Sequence, residues 1–121
     1  MVLVPVAKLE QVCADTFARI GSTPEEALRV ARSLIGANLT GHDSHGVIRV
    51  PRYVDWVKSG DITPNQTVAV LVDTPSLAVV DGRYGFGQTV APEAVRIGVA
   101  KARDAGLSAV ALRDAGHEVL L

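Results

Sequence analysis

Sulfur and aromatic rings are scarce in this chain. One cysteine, one methionine, one tryptophan, two tyrosines and two phenylalanines occur in 121 residues. The lone Cys13 excludes an internal disulfide, and its helical spacing between Leu9 and Phe17 reads as a small buried hydrophobe. Charge of one sign is also missing: 12 basic and 13 acidic residues give a net charge of −1. That balance leaves no basic field to draw nucleic acid or an acidic membrane surface. No apolar run reaches the roughly 20 residues that span a bilayer. Residues 1–9 lack both a basic leader and a long apolar core, so a cytoplasmic protein without a signal peptide is expected. There is no internal repeat and no low-complexity tract. The remaining composition, 48% hydrophobic and 21% charged, is that of a globular chain. A chain of this size buries roughly two-thirds of its unfolded surface, enough for a core.

Apolar periodicity predicts a first helix over 7–20, through Leu9, Val12, Cys13, Phe17 and Ile20, closed by Gly21. Thr23-Pro24-Glu25-Glu26 opens a second helix, with Thr23 as cap and Glu26 completing a capping box. That helix runs to about Leu39, with Ala27, Val30, Ala31, Leu34 and Ile35 on one side. Asp43 or Ser44 caps a third helix that continues to about Ser59 and is kinked at Pro51. Residues 60–65 form a loop. Val68–Val72 and Leu77–Val80 flank an Asp-Thr-Pro-Ser turn and read as a β-hairpin. A helix over 89–104, with Pro92 in its first turn, is closed by Gly106 and followed by a strand over 107–112. Strand, helix and strand from 77 to 112 make a candidate crossover unit. The expected class is mixed α/β (α+β). An N-terminal helical segment, 1–65, precedes the start of a mixed-sheet segment, 66–121.

The residues that carry chemistry are concentrated in Gly41-His42-Asp43-Ser44-His45-Gly46-Val47-Ile48-Arg49-Val50-Pro51-Arg52-Tyr53. Most of these side chains cost free energy to bury unless they are paired. On a continuous helix His45, Arg49, Arg52, Tyr53 and Trp56 share one stripe, and Val47, Val50, Val54 and Val57 another. The valines read as a core face. The polar stripe has two readings, a substrate face or a solvated face. On the first, Arg49 clamps a carboxylate through its planar fork. His45 exchanges a proton near neutral pH, and Ser44 and Tyr53 donate hydrogen bonds. A zinc reading of His42 and His45 lacks further ligands, and no metal is expected. A serine-hydrolase reading lacks the strand–turn–helix setting its nucleophile needs. Gly82-Arg83-Tyr84-Gly85-Phe86-Gly87 reverses the dinucleotide fingerprint, and reads instead as a tight connection whose glycines adopt positive φ.

The run 41–53 resembles the signature of the malate/L-lactate dehydrogenase family of the second type. That group includes ureidoglycolate and sulfolactate dehydrogenases, diketogulonate reductase and cyclic imino-acid reductases. The resemblance continues through Val80-Asp81-Gly82, Gly85-Phe86-Gly87-Gln88, Ala100-Lys101-Ala102-Arg103, Ala109–Arg113 and Gly116-His117, and so covers nearly the whole chain. It implies a non-Rossmann fold and hydride transfer between NAD or NADP and a small 2-oxo or 2-hydroxy acid, in a homodimer. Ser44 and His45 resemble the family's catalytic pair, and Arg49 its substrate-carboxylate anchor, with Tyr53 on the same face. His117 matches a histidine at the edge of the cofactor site that some members use for proton transfer. Family chains are longer. The aspartate partner, most nicotinamide contacts and most of the central sheet are not among these residues, so the chain looks like an N-terminal fragment. A non-catalytic module that folds alone or associates, and binds at most a small carboxylate, is the alternative.

Overall fold

The computed structural model describes residues 1–116. Helices α1 (Val6–Arg19) and α2 (Pro24–Leu39) form a hairpin. Two single 3-10 turns come next, Asp43–His45 and Val47–Arg49, and lead into α3 (Val50–Ser59). Strands β1 (Ala69–Asp73) and β2 (Leu77–Gly85), helix α4 (Gly87–Ala105) and strand β3 (Ala109–Ala115) complete the described chain. The sheet order is β1-β2-β3, with β1 antiparallel and β3 parallel to β2. The expected hairpin and crossover are therefore both present, and the class is mixed α/β. Among the described residues no helix is long and apolar enough to cross a membrane.

Four of the five aromatic rings gather in one place, Tyr84 alone being exposed elsewhere. Phe17 of α1 meets Phe86, at the head of α4, edge-on at 5.8 Å, and meets Tyr53 of α3 at 6.2 Å. Trp56 stacks on Tyr53 at 5.6 Å. Cys13, Ala27, Val30, Ala31, Leu34 and Ile62 fill the rest of this helical core. Burial pushes the Cys13 thiol pKa up, as suits a packing residue. Val12, expected on the core side of α1, is instead half exposed. A second, smaller core of Ala78, Val80 and Ala94 lies between the sheet and α4.

A buried carboxylate joins the two halves. Glu26, only 2% exposed, takes hydrogen bonds from the Ser22 hydroxyl at 2.9 Å, the Asn65 backbone N–H at 2.8 Å and the Thr89 hydroxyl at 2.8 Å. These donors come from the α1–α2 turn, the loop before β1 and the first turn of α4. The capping box is therefore half formed. Thr23 Oγ1 accepts from the Glu26 N–H at 3.3 Å, but the Thr23 N–H donates to Asn65 Oδ1 at 2.7 Å. The glutamate turns inward because three donors there meet a charge that the exposed cap would leave to water.

Three further expectations are corrected. The third helix is not continuous from Asp43: Gly46 is extended (φ −87°, ψ −152°), and Pro51 starts α3 rather than kinking it. Helix α4 begins at Gly87, so Pro92 lies inside it. The glycines at 82 and 85 are not the positive-φ residues of their loop; Arg83 (φ 53°) and Tyr84 (φ 60°) are. Those glycines are required by close packing instead. A Cβ on Gly82 would sit 3.1 Å from the Asp114 carbonyl oxygen, and one on Gly85 would sit 2.8 Å from Val90 Cγ1. The sheet bulges here, between Asp81 and Gly85. Asp81 holds the bulge by accepting the Arg83 N–H at 2.7 Å and the Arg113 guanidinium at 3.0 Å. In β1 a second irregularity lies between Val70 and Val72, which pair with the consecutive Val80 and Val79.

Two outcomes are expected. Glu26→Ala strands three donors, and should lower the unfolding free energy by about 3 kcal/mol. Denaturant titration should show a lower midpoint at unchanged slope; an unmoved midpoint would remove Glu26 from this role. The Arg83 N–H first, and then Arg113, hold the Asp81 carboxyl below its ordinary value. Its contribution is complete above the unfolded carboxylate range and is lost as pH falls through the lower folded value. Asp81→Asn should therefore flatten the acid limb of a Tm-versus-pH curve below about pH 4. An acid limb identical to that of the wild type would contradict this.

Candidate functional site

The site begins where α2 ends. Gly41 adopts φ 84°, which lets the His42 N–H reach the Ala37 carbonyl at 2.8 Å and the Gly41 N–H reach the Asn38 carbonyl at 3.1 Å. This pairing satisfies the last carbonyls of the helix and turns the chain sharply. The Asn38 side chain then organises the two 3-10 turns. Its Nδ2 donates to Asp43 Oδ1 at 2.7 Å, and its Oδ1 accepts the Val47 N–H at 2.9 Å. One amide thus braces both. Gly46 passes directly against it, and a Cβ there would fall 2.1 Å from Asn38 Oδ1.

This brace presents Ser44, His45 and Arg49 together. Ser44 Oγ lies 3.0 Å from His45 Nδ1. When Ser44 donates, Nδ1 is the acceptor and the neutral ring carries its proton on Nε2. Arg49 Nε donates to the Ser44 carbonyl at 2.7 Å. The guanidinium is thereby fixed, with its two terminal nitrogens at the opposite edge. Among the described residues no carboxylate forms an ion pair with Arg49 or Arg52. Ser44, Ile48, Arg49 and Arg52 line a shallow concavity of about 350 Å³. Asp43 is engaged by Asn38, so Asp43, His45 and Ser44 do not form a hydrolytic relay.

The single polar stripe expected from helical spacing is not formed, because the chain is extended at Gly46. Ser44, Arg49 and Arg52 face the concavity. Tyr53 does not join them: it is fully buried, and its hydroxyl accepts from Gln88 Nε2 at 3.0 Å. Its ring is drawn inward by the aromatic cluster, leaving Arg49 on the outer side. Val47, Val50 and Val57 pack on the helical core as expected. His42 is exposed, and among the described residues no three of His, Cys, Asp and Glu gather at a metal-binding distance. His117 lies outside the described residues. Asn38 is the site residue that sequence reasoning misses. Its signal is an amide in the last turn of a helix, a few residues ahead of a glycine flanked by Ser44, His45 and Arg49.

An antiparallel hairpin joined to one parallel crossover makes a mixed α/β chain, with a Ser–His pair and an arginine fastened into one turn beside it. The chain belongs to the malate/L-lactate dehydrogenase family, whose pattern it matches over residues 4–120. It is 38% identical over 116 residues to a malate dehydrogenase of Pyrococcus abyssi, a match covering 96% of this chain and 32% of that one. It is 33% identical over 108 residues to the L-sulfolactate dehydrogenase of Methanocaldococcus jannaschii, covering 89% of this chain and 31% of that one. The solved malate dehydrogenase of Pyrococcus horikoshii OT3 superimposes with a TM-score of 0.88 at 34% identity, over 96% of this chain and 33% of its own. The chain thus spans about a third of the length of the relatives it matches.

The fit between Gly46 and Asn38 is testable. Gly46→Ala alone should cost about 1–3 kcal/mol through overpacking. Combining it with Asn38→Ala should recover part of that loss in a double-mutant cycle. Strict additivity of the two changes would show that they do not touch.

Proposed function

We propose that this chain carries the substrate side of an oxidoreductase that moves hydride between NAD or NADP and a 2-hydroxy or 2-oxo acid. The observation that carries the reading is the fastening of Ser44, His45 and Arg49 into one turn, through the 3.0 Å Ser44–His45 contact and the 2.7 Å Arg49–Ser44 bond. Arg49 takes the substrate carboxylate on its terminal nitrogens, a charge-assisted bidentate pair. His45, oriented by Ser44, gives a proton to the substrate oxygen in reduction and accepts it in oxidation. Membership of the family and the names of its relatives support this role. In this reading residues 1–65 hold the substrate, and the segment from 66 onward begins the cofactor side.

The glycine-rich loop 82–87 does not fit the pyrophosphate of a dinucleotide. The backbone around Gly82 and Gly85 is packed against Asp114, Val90 and Gln66, leaving no cradle for a pyrophosphate. No step through the cofactor is therefore assigned to this loop. A second reading, a module that associates without catalysing, is favoured by a groove of about 420 Å³ between α4 and β3. Ala94, Val95, Val99 and Leu112 are among the residues that line it.

Titration with a 2-hydroxy acid, followed through the His45 imidazole and Arg49 side-chain resonances, tests the site. Saturable shifts are expected in the wild type. Arg49→Ala should weaken binding about 30-fold, the loss of a charge-assisted pair of roughly 2 kcal/mol. Equal binding by wild type and variant would withdraw the anchor role.

A further inference from the structure

Arg49 does not line the concavity alone. Arg52 lies one helical turn further on, and its side chain borders the same space beside Ser44 and Ile48. Residues three apart on a helix are surface neighbours, so two cations stand side by side there. The acids nearest in sequence are engaged elsewhere or unlinked. Asp43 accepts from Asn38 and Asp61 from Ser59, and no ion pair joins either arginine to Asp55. The whole chain carries a net charge of −1, so this pair is a local concentration and not part of a generally basic surface.

The two guanidinium groups differ in freedom. Arg49 has its Nε committed to the Ser44 carbonyl, and only its terminal edge remains. That edge suits one carboxylate, so a second acid group on the same molecule needs another donor. Arg52 is exposed, but its guanidinium carbon rests 5.3 Å from the centre of the Trp56 ring. Such an aromatic face supports the cation without using its N–H donors. Ile48, 70% exposed on the wall between them, offers an apolar contact for the carbon chain joining two acid groups.

We propose that Arg52 is a second anion anchor, which makes this a site for a dianionic hydroxy acid with one acid group on Arg49 and the other on Arg52. A monocarboxylate satisfies only the first arginine and leaves the second cation beside it uncompensated. This inference rests on the carboxylate-anchoring role proposed for Arg49.

The test compares malate with lactate, which share the 2-hydroxy carboxylate and differ in the second acid group. Affinities for the full chain are read by NMR at constant ionic strength. The wild type should bind malate about tenfold more tightly than lactate. Arg52→Ala should bring malate down to the lactate level and leave lactate unchanged, and Arg49→Ala should weaken both. Arg52→Gln, which keeps the side-chain length and the packing on Trp56, should behave as Arg52→Ala does. Equal affinity of the wild type for both acids would overturn the second anchor while leaving Arg49 in place. An Arg52 variant that weakens both acids equally would also overturn it. A folded wild-type chain that binds neither acid would overturn the Arg49 reading itself.

Discussion

The buried carboxylate of Glu26 is the constraint on which the arrangement of this chain depends. A charge removed from water must be matched by donors placed at hydrogen-bonding distance. Here the donors belong to three separate stretches: the α1–α2 turn, the loop ahead of β1, and the start of α4. None of them can shift without leaving part of a buried charge unmatched. Thr89 also accepts from Arg29 at 3.2 Å, so its hydroxyl links an outer cation to the inner anion. With α4 held against α2 in this way, Phe86 is delivered to Phe17 and Tyr53, and the aromatic cluster fixes α3. The turn carrying Ser44, His45 and Arg49 is suspended between α2 and α3, the two helices so fixed.

Around the site, position is set by what is absent from side chains as well as by what they contribute. Gly46 has no Cβ, so the Asn38 amide can occupy the space against its backbone and bond to both flanking turns. A short polar side chain at the end of one helix thus does what a longer loop would need several residues to achieve. The result is a rigid substitute for the missing first two turns of the helix that the spacing suggested. It aims Ser44 and Arg49 outward while Tyr53, four residues beyond Arg49, turns into the core.

Much of this was legible in the chain. The two N-terminal helices, the hairpin and the crossover came from period, caps and valine-rich runs, which report local preference and burial together. The run 41–53 was visible as a concentration of groups that are costly to bury. What could not be read depends on partners distant in sequence. Glu26 stands where a capping box calls for it, but Asn65 and Thr89 decide where its carboxylate points. Tyr53 lies on the polar stripe of an ideal helix, yet Phe17 and Phe86 reclaim it for the core. The glycines at 82 and 85 resemble turn residues, while their real demand comes from Val90 and Asp114, which approach only after α4 and β3 have docked. Asn38 carried no sign of its role beyond its position.

The irregularity in β1 has a consequence of its own. Val70, Leu71 and Val72 are all about half exposed on β1, an outer strand of the sheet that the described residues form. A straight edge strand of that composition would be an inviting template for the backbone of another molecule, and a starting point for fibrils. The extra residue interrupts the regular alternation of side chains and of hydrogen-bonding groups along that edge. The chain can thus keep a valine-rich strand, good for pairing with β2, while offering a stranger no continuous row to match. The register of a single residue thus shapes what this edge can pair with, far from the turn that carries Ser44 and Arg49.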